Sequence, residues 1–291
     1  MGKAKVLLLG GNACVVAVRV RMEEKYESLE IVEKSPKSGV FYLILNRPSR
    51  RNALSRDFFR EFPKALYALD DNPEVKVIVL SGAGNHFCSG IDLSNLESIA
   101  SNSSSGERLR REIMAMQDAV TALERCRKAV IASIQGGCIG GGIDIVTACD
   151  IRMCTKEAFF SVKEVDLGLA ADLGSLQRLP LIVGFGNAME LALTARTFSG
   201  QEAKELGLVS AVFPSKHDLD QAVWDVAQAI ASKSPLAVVG TKAVLLKTRD
   251  LSVDQGLDYV ATLNAARLFS SDITEAVMAK KQKRKPLFSK L

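Results

Sequence analysis

The stretch Ala129-Val130-Ile131-Ala132-Ser133-Ile134, then Gln135-Gly136-Gly137-Cys138-Ile139-Gly140-Gly141-Gly142, then Ile143-Asp144-Ile145-Val146, decides the fold class. Six apolar or small residues read as a buried strand, and five glycines in the next eight residues make a turn. The apolar run that follows reads as a helix. A strand passing through a glycine turn into a helix is one step of a β/α chain, and the flanking sequence repeats that step.

Upstream, Leu29 to Val32 and Val40 to Leu45 read as strands around the turn residues Ser35-Pro36-Lys37-Ser38-Gly39. Ser55 is placed to cap a helix running to about Leu69, with Phe58, Phe59, Phe62, Leu66 and Leu69 near one face. Val75 to Leu80 reads as a buried strand, and Leu93 to Ala100 as a short helix. The polar run Ser101-Asn102-Ser103-Ser104-Ser105-Gly106 is expected to be a mobile loop. Glu107 to Cys126 has helical period, with Ile113, Met116, Val120 and Leu123 on one side. Downstream come a strand at Ile151 to Cys154, another near Leu208 to Val212, and an otherwise helical chain from residue 173 to 281. Strands alternating with helices and ending in a helical tail make an α/β fold with a helical extension.

Composition narrows the function classes. The chain has 291 residues, 47% hydrophobic and 24% charged, as in an ordinary globular protein. The longest uncharged run, Ala129 to Ile143, is 15 residues with five glycines, too short and flexible for a membrane span. Net charge is +5, but four basic residues and no acids lie before residue 23, and six more lie in 279–291. Subtracting these ten leaves residues 23–278 at −5. A nucleic-acid binder carries positive charge on the folded body, so nucleic acid is not an expected partner. Six scattered cysteines with no CxxC pair read as free thiols in a reducing compartment. With only His86 and His217, there is little material for a histidine metal site or a Ser-His-Asp triad. No metal and no separate cofactor is expected.

The ends carry their own signals. Ser289-Lys290-Leu291 is a peroxisomal address at a free C-terminus. That makes the peroxisome the expected location and its import receptor an expected partner. Residues 1–21 are expected to be an extension outside the fold, with Met22 an alternative start.

Three acids stand in apolar or glycine-rich surroundings: Asp144 after the triple glycine, Glu164 in Phe159-Phe160-Ser161-Val162-Lys163-Glu164-Val165, and Asp172 in Gly168-Leu169-Ala170-Ala171-Asp172-Leu173-Gly174. An apolar setting raises a carboxyl pKa, and two acids in one pocket push each other's values apart. That pattern suits proton transfer at neutral pH. The alternative for each is a helix cap or an ion-pair partner.

The glycines offer a second feature. Backbone N–H groups at the helix start after Gly140, and in the loop His86-Phe87-Cys88-Ser89-Gly90-Ile91-Asp92, could converge as an oxyanion hole. Glycine turns of this kind also simply pack, or bind phosphate.

Together, His86-Phe87-Cys88-Ser89-Gly90-Ile91-Asp92-Leu93, the glycine turn with its acid, Asn46-Arg47-Pro48 and Asn52-Ala53-Leu54 resemble the signatures of the enoyl-CoA hydratase/isomerase (crotonase) superfamily. The resemblance covers about residues 24–291, including the closing Lys283-Arg284-Lys285-Pro286-Leu287-Phe288. It implies a spiral β/α core over 22–212 and a helical oligomerisation region over 213–291, giving a homotrimer or homohexamer. It also implies an acyl-CoA substrate contacted by Ser89, Gly90, Ile91, Asp92, Leu93 and Gly141, with the Ile91 and Gly141 N–H groups holding the thioester oxygen. Hydratases of the superfamily carry Glu at the position of Asp144 and Gly at that of Asp172. The trio Asp144, Glu164 and Asp172 instead resembles the Δ3,5-Δ2,4-dienoyl-CoA isomerases.

On that resemblance Glu164 and Asp172 exchange protons with C2 and C6 of the diene, and Asp144 tunes them. Arg50 and Arg51, with the basic C-terminal segment, are expected near the CoA phosphates. The alternatives are a 2-enoyl-CoA hydratase and a non-catalytic binding protein of the same fold.

Overall fold

The computed structural model describes residues 25–94 and 105–291. The extension expected at 1–21 and most of the loop and short helix expected across 93–106 lie outside the described residues.

Six strands form the main sheet: β1 (Leu29–Glu33), β2 (Val40–Leu45), β3 (Val77–Gly82), β4 (Ala129–Ile134), β6 (Ile151–Thr155) and β9 (Ala211–Phe213), side by side in that order. β1 and β2 pair antiparallel; every later pair is parallel. Parallel strands are buried on both faces, so their sequences read as unbroken apolar runs.

Their two-residue period sorts side chains between two cores. On one face lie Phe41, Leu43 and Leu45 of β2, Ile78 and Leu80 of β3, and Val130, Ala132 and Ile134 of β4. Val40, Val77, Val79 and Ile131 point the other way. Helix α1 (Arg56–Asp71) packs Phe58, Phe62, Ala65, Leu66 and Leu69 into the first core, and Ser55 Oγ caps it by accepting from Phe58 N–H. Truncating the fully buried Phe62 to Ala is expected to cost about 3–5 kcal/mol. Helix α2 (Gly106–Arg125) closes the same core with Val120 and Leu123.

The second face is covered by α7 (Lys216–Ala231), which presents Leu219, Val223, Ala227 and Ala231 at four-residue intervals. This helix falls within the segment read as the oligomerisation region, and it packs on the sheet of the core.

A second, smaller sheet joins β5 (Gly137–Ile139), β7 (Phe159–Ser161) and β8 (Phe198–Ser199). Its strands have two or three residues, too few for a period to show in sequence, and none of the three was expected. Helix α3 (Gly141–Ala148) follows β5, α4 (Ser175–Val183) and α5 (Phe185–Thr194) follow β7, and α6 (Gly200–Glu205) follows β8. The chain ends in α8 (Pro235–Thr248), α9 (Val253–Arg267) and α10 (Ser271–Lys281). No single described helix is long and apolar enough to cross a membrane.

Candidate active site

Three separate segments meet at the C-terminal ends of β3 and β4. Leu54 N–H donates to Gly90 O at 2.8 Å and Asp92 N–H to Leu54 O at 3.0 Å, joining residue 54 to the loop after β3. Cys88 N–H donates to Gly137 O and Ile139 N–H to Cys88 O, each at 3.0 Å, joining that loop to β5. Asn52 braces the junction: Nδ2 donates to the carbonyls of Ala83 and His86, while Oδ1 accepts from Arg47 N–H.

This bracing brings Ile91 and Gly141 together. A methyl built on Gly90 would lie 3.6 Å from Gly141 N, and one built on Gly141 would lie 3.8 Å from Ile91 N. Among the described residues neither N–H has a backbone acceptor. Gly141 is the first residue of α3, where N–H groups are unpaired and the helix dipole is positive. The two donors therefore suit an oxygen that gains negative charge.

Each glycine of the triple has its own neighbour. Gly140 sits at φ +52°, and a Cβ there would lie 3.1 Å from Glu164 Oε1. A Cβ on Gly141 would strike Leu54 Cδ1 at 2.7 Å, and one on Gly142 would press on Cys88 and Cys138.

The acids gather at this same point. Asp144, on the first turn of α3 and 1% exposed, accepts from Ser175 N–H at 2.6 Å and Ser175 Oγ–H at 2.7 Å through its Oδ1. Burial pushes its carboxyl up to about 6, against the lowering effect of those hydrogen bonds. Glu164 opens a short 3₁₀ turn, Glu164–Leu167, and its buried Oε2 has no hydrogen-bond partner among the described residues. Burial, then the charges of Asp144 and Asp172, push it up to about 7. Asp172 is exposed as a whole residue, yet desolvation still holds its carboxyl above the ordinary range. Asp172 also raises Asp144, so the three repel one another.

The other expected contacts divide. Asp92 Oδ2 pairs with Arg47 Nη2 at 3.0 Å and its Oδ1 accepts from Ser94, first of the causes that hold its carboxyl below the usual range. It pins the loop. Leu93 is exposed; Ser89 N–H donates to Arg51 O, and Ser89 Oγ–H lies 3.5 Å from Arg50 O. Arg50 and Arg51 are thus exposed cations beside that loop.

The basic C-terminal segment lies elsewhere. Lys290 pairs with Glu74 and Arg284 with Glu275. Glu74 precedes β3, whereas the loop at 86–92 follows it, so the tail sits at the opposite end of the sheet. Phe87 and Phe160 are fully buried core. Among the described residues no group of three or more His, Cys, Asp or Glu is arranged to hold a metal.

Sequence reasoning missed Ser175, which anchors Asp144 from 31 residues away. No local signal marks it.

A family model described as enoyl-CoA hydratase/isomerase matches residues 35–290. The chain belongs to the enoyl-CoA hydratase/isomerase family. Within it, the chain is 65% identical to a peroxisomal Δ3,5-Δ2,4-dienoyl-CoA isomerase of Arabidopsis thaliana, over 92% of this chain and 99% of that one. It is 44% identical to the mitochondrial enzyme of that name from Rattus norvegicus, covering 92% and 85%. Among solved structures it superposes on an enoyl-CoA hydratase from Bacillus anthracis with a TM-score of 0.83, at 30% identity, covering 90% and 99%. This hydratase/isomerase family membership accounts for the fold.

Proposed function

We propose that this chain converts 3,5-dienoyl-CoA to 2,4-dienoyl-CoA. The observation that carries the reading is the gathering of three mutually repelling carboxyls, two raised to about 6 and 7, beside two backbone N–H groups with no backbone acceptor among the described residues. Relatives at 65% and 44% identity bearing that enzyme's name support it.

The chemistry follows from where charge must go. A base takes the proton from C2, and the electron pair spreads over the thioester oxygen, C2, C4 and C6. The Ile91 and Gly141 N–H groups stabilise the oxygen's share of that charge. A proton delivered to C6 moves both double bonds toward the thioester, and no water is consumed. Glu164 and Asp172 are the two proton carriers. An acid poised near 7, as Glu164 is, both accepts and returns a proton at neutral pH. Asp144, held by Ser175, raises Glu164 by its charge. Ser89, Gly90, Asp92 and Leu93 shape the entrance, and Arg50 and Arg51 meet the CoA phosphates. Coenzyme A is part of the substrate, and the reaction calls for no separate cofactor or metal.

The chain acts in the peroxisome as a homotrimer or homohexamer. Ser289-Lys290-Leu291, all exposed, support import through the peroxisomal receptor, and exposed Leu257, Leu268 and Phe269 on and after α9 support self-association.

The test incubates purified protein with 3,5-dienoyl-CoA and follows absorbance of the conjugated 2,4-dienoyl thioester, with 2-enoyl-CoA hydration run in parallel. Rapid conjugation with little hydration is expected. Fast hydration without conjugation would replace this reading with a hydratase.

A further inference from the structure

Asp172 differs from the other two acids in being exposed and in lying on a stretch, 169–172, without regular secondary structure. Leu169 N–H bonds back to Glu164 O, and the Asp172 carbonyl is bonded by a side chain from elsewhere in the chain. One hold is the Asp144–Ser175 pair at its far end. The others start from one face of α2, directly through Gln117 and by way of Arg178 of α4, which that face anchors.

Gln117 Nε2 donates to Asp172 O at 2.7 Å. Thr121 Oγ1 and Glu124 Oε2 accept from Arg178 Nη2 at 3.0 and 2.9 Å, and Arg178 Nη1 reaches Leu173 O at 3.3 Å. Arg249 donates to the other Glu124 oxygen at 2.6 Å. Residues 117, 121 and 124 are four and three apart, so they form one polar stripe along the helix. Gly174, at φ +127°, lets the buried Arg178 guanidinium lie against the chain; a Cβ there would fall 1.7 Å from Nη1. Gln117, Thr121, Arg178 and Asp172 line one cleft of about 450 Å³.

We infer that Gln117 is a positioning residue for proton transfer at Asp172, supported by Thr121, Glu124 and Arg178; this rests on the proposed isomerase reading. Gln117 binds the carbonyl of the catalytic residue itself, so it fixes the point from which the carboxylate swings. The thioester oxygen is held by other groups, Ile91 and Gly141. Losing the Gln117 bond therefore displaces the acid and leaves substrate binding in place, and small displacements of a proton carrier cost rate steeply.

The experiment measures kcat and KM for 3,5-dienoyl-CoA in the full chain and in Gln117→Met, which keeps length and removes the donor. The expected result is a fall in kcat of about 10- to 100-fold with KM within about twofold. In the Asp172→Asn background the same change should cost less than about twofold more, because a residue acting only through Asp172 has nothing left to position. Thr121→Val, which frees one hold on Arg178, is a second variant expected to lower kcat by about threefold. Wild-type conjugation with an unchanged kcat in Gln117→Met, or an undiminished fall in the Asp172→Asn background, overturns the inference alone. Absence of conjugation by the wild type overturns the isomerase reading and this inference with it.

Discussion

Ser175 gives both its backbone N–H and its hydroxyl to a single oxygen of Asp144. That oxygen is therefore committed, and α3 is tied to the first residue of α4. The pair sets Asp144, whose Oδ1 takes two hydrogen bonds, apart from Glu164, whose buried Oε2 has no hydrogen-bond partner among the described residues.

Ser175→Ala removes one of the two bonds to a buried carboxylate. Hydrogen bonds to the charged form lower a pKa, so Asp144 should move above its present value of about 6. The more often neutral Asp144 then raises Glu164 less, and the acid limb of the pH–rate profile should shift. Unfolding should become easier by about 1–2 kcal/mol, measured by denaturant titration.

Glu164→Gln should abolish isomerisation by about 10²- to 10⁴-fold, read from the same absorbance assay. Its effect on stability has a definite sign. Folding raises the Glu164 pKa from 4.5 to about 7, so its contribution is fully present below the unfolded pKa and is lost as pH rises through the folded value. Between pH 4.5 and 7 the wild type should lose stability that Glu164→Gln retains. Parallel melting curves for the two proteins across that window would argue against a raised carboxyl.

Gly140→Ala combines a strained backbone with a steric intrusion. Alanine at φ +52° costs about 1 kcal/mol or more, and its methyl would stand 3.1 Å from Glu164 Oε1. Activity should fall further than that loss of stability explains. Comparing kcat with the melting temperature of the variant separates the two effects.

Replacing Arg50 and Arg51 together by alanine should raise KM for a CoA thioester by about 3- to 10-fold and leave kcat nearly unchanged. The dependence of KM on ionic strength should weaken in the same variant. An unchanged KM would mean the two cations are surface charge and nothing more.

Much of the fold was legible because its signals are local. Strands β1 to β4 announce themselves by apolar runs between turns, and α1 by its Ser55 cap and one-sided apolar face. The three strands of the small sheet did not, since two or three residues carry no period. Helix α7 illustrates the same limit in another way. Its four-residue apolar spacing marks a buried face, but only the packed chain places that face on the main sheet.

By itself, the order of residues determined the alternation of strand and helix, the glycine turn and the identity of the three acids, because period, turn chemistry and residue type are properties of neighbours. The tertiary structure alone decided what surrounds each acid. Ser175 reaches Asp144 across 31 positions, Arg47 reaches Asp92 across 45, and Gln117 reaches the Asp172 carbonyl across 55. Desolvation and charge repulsion depend on which groups the folded chain brings together, and distance along the sequence carries no record of that.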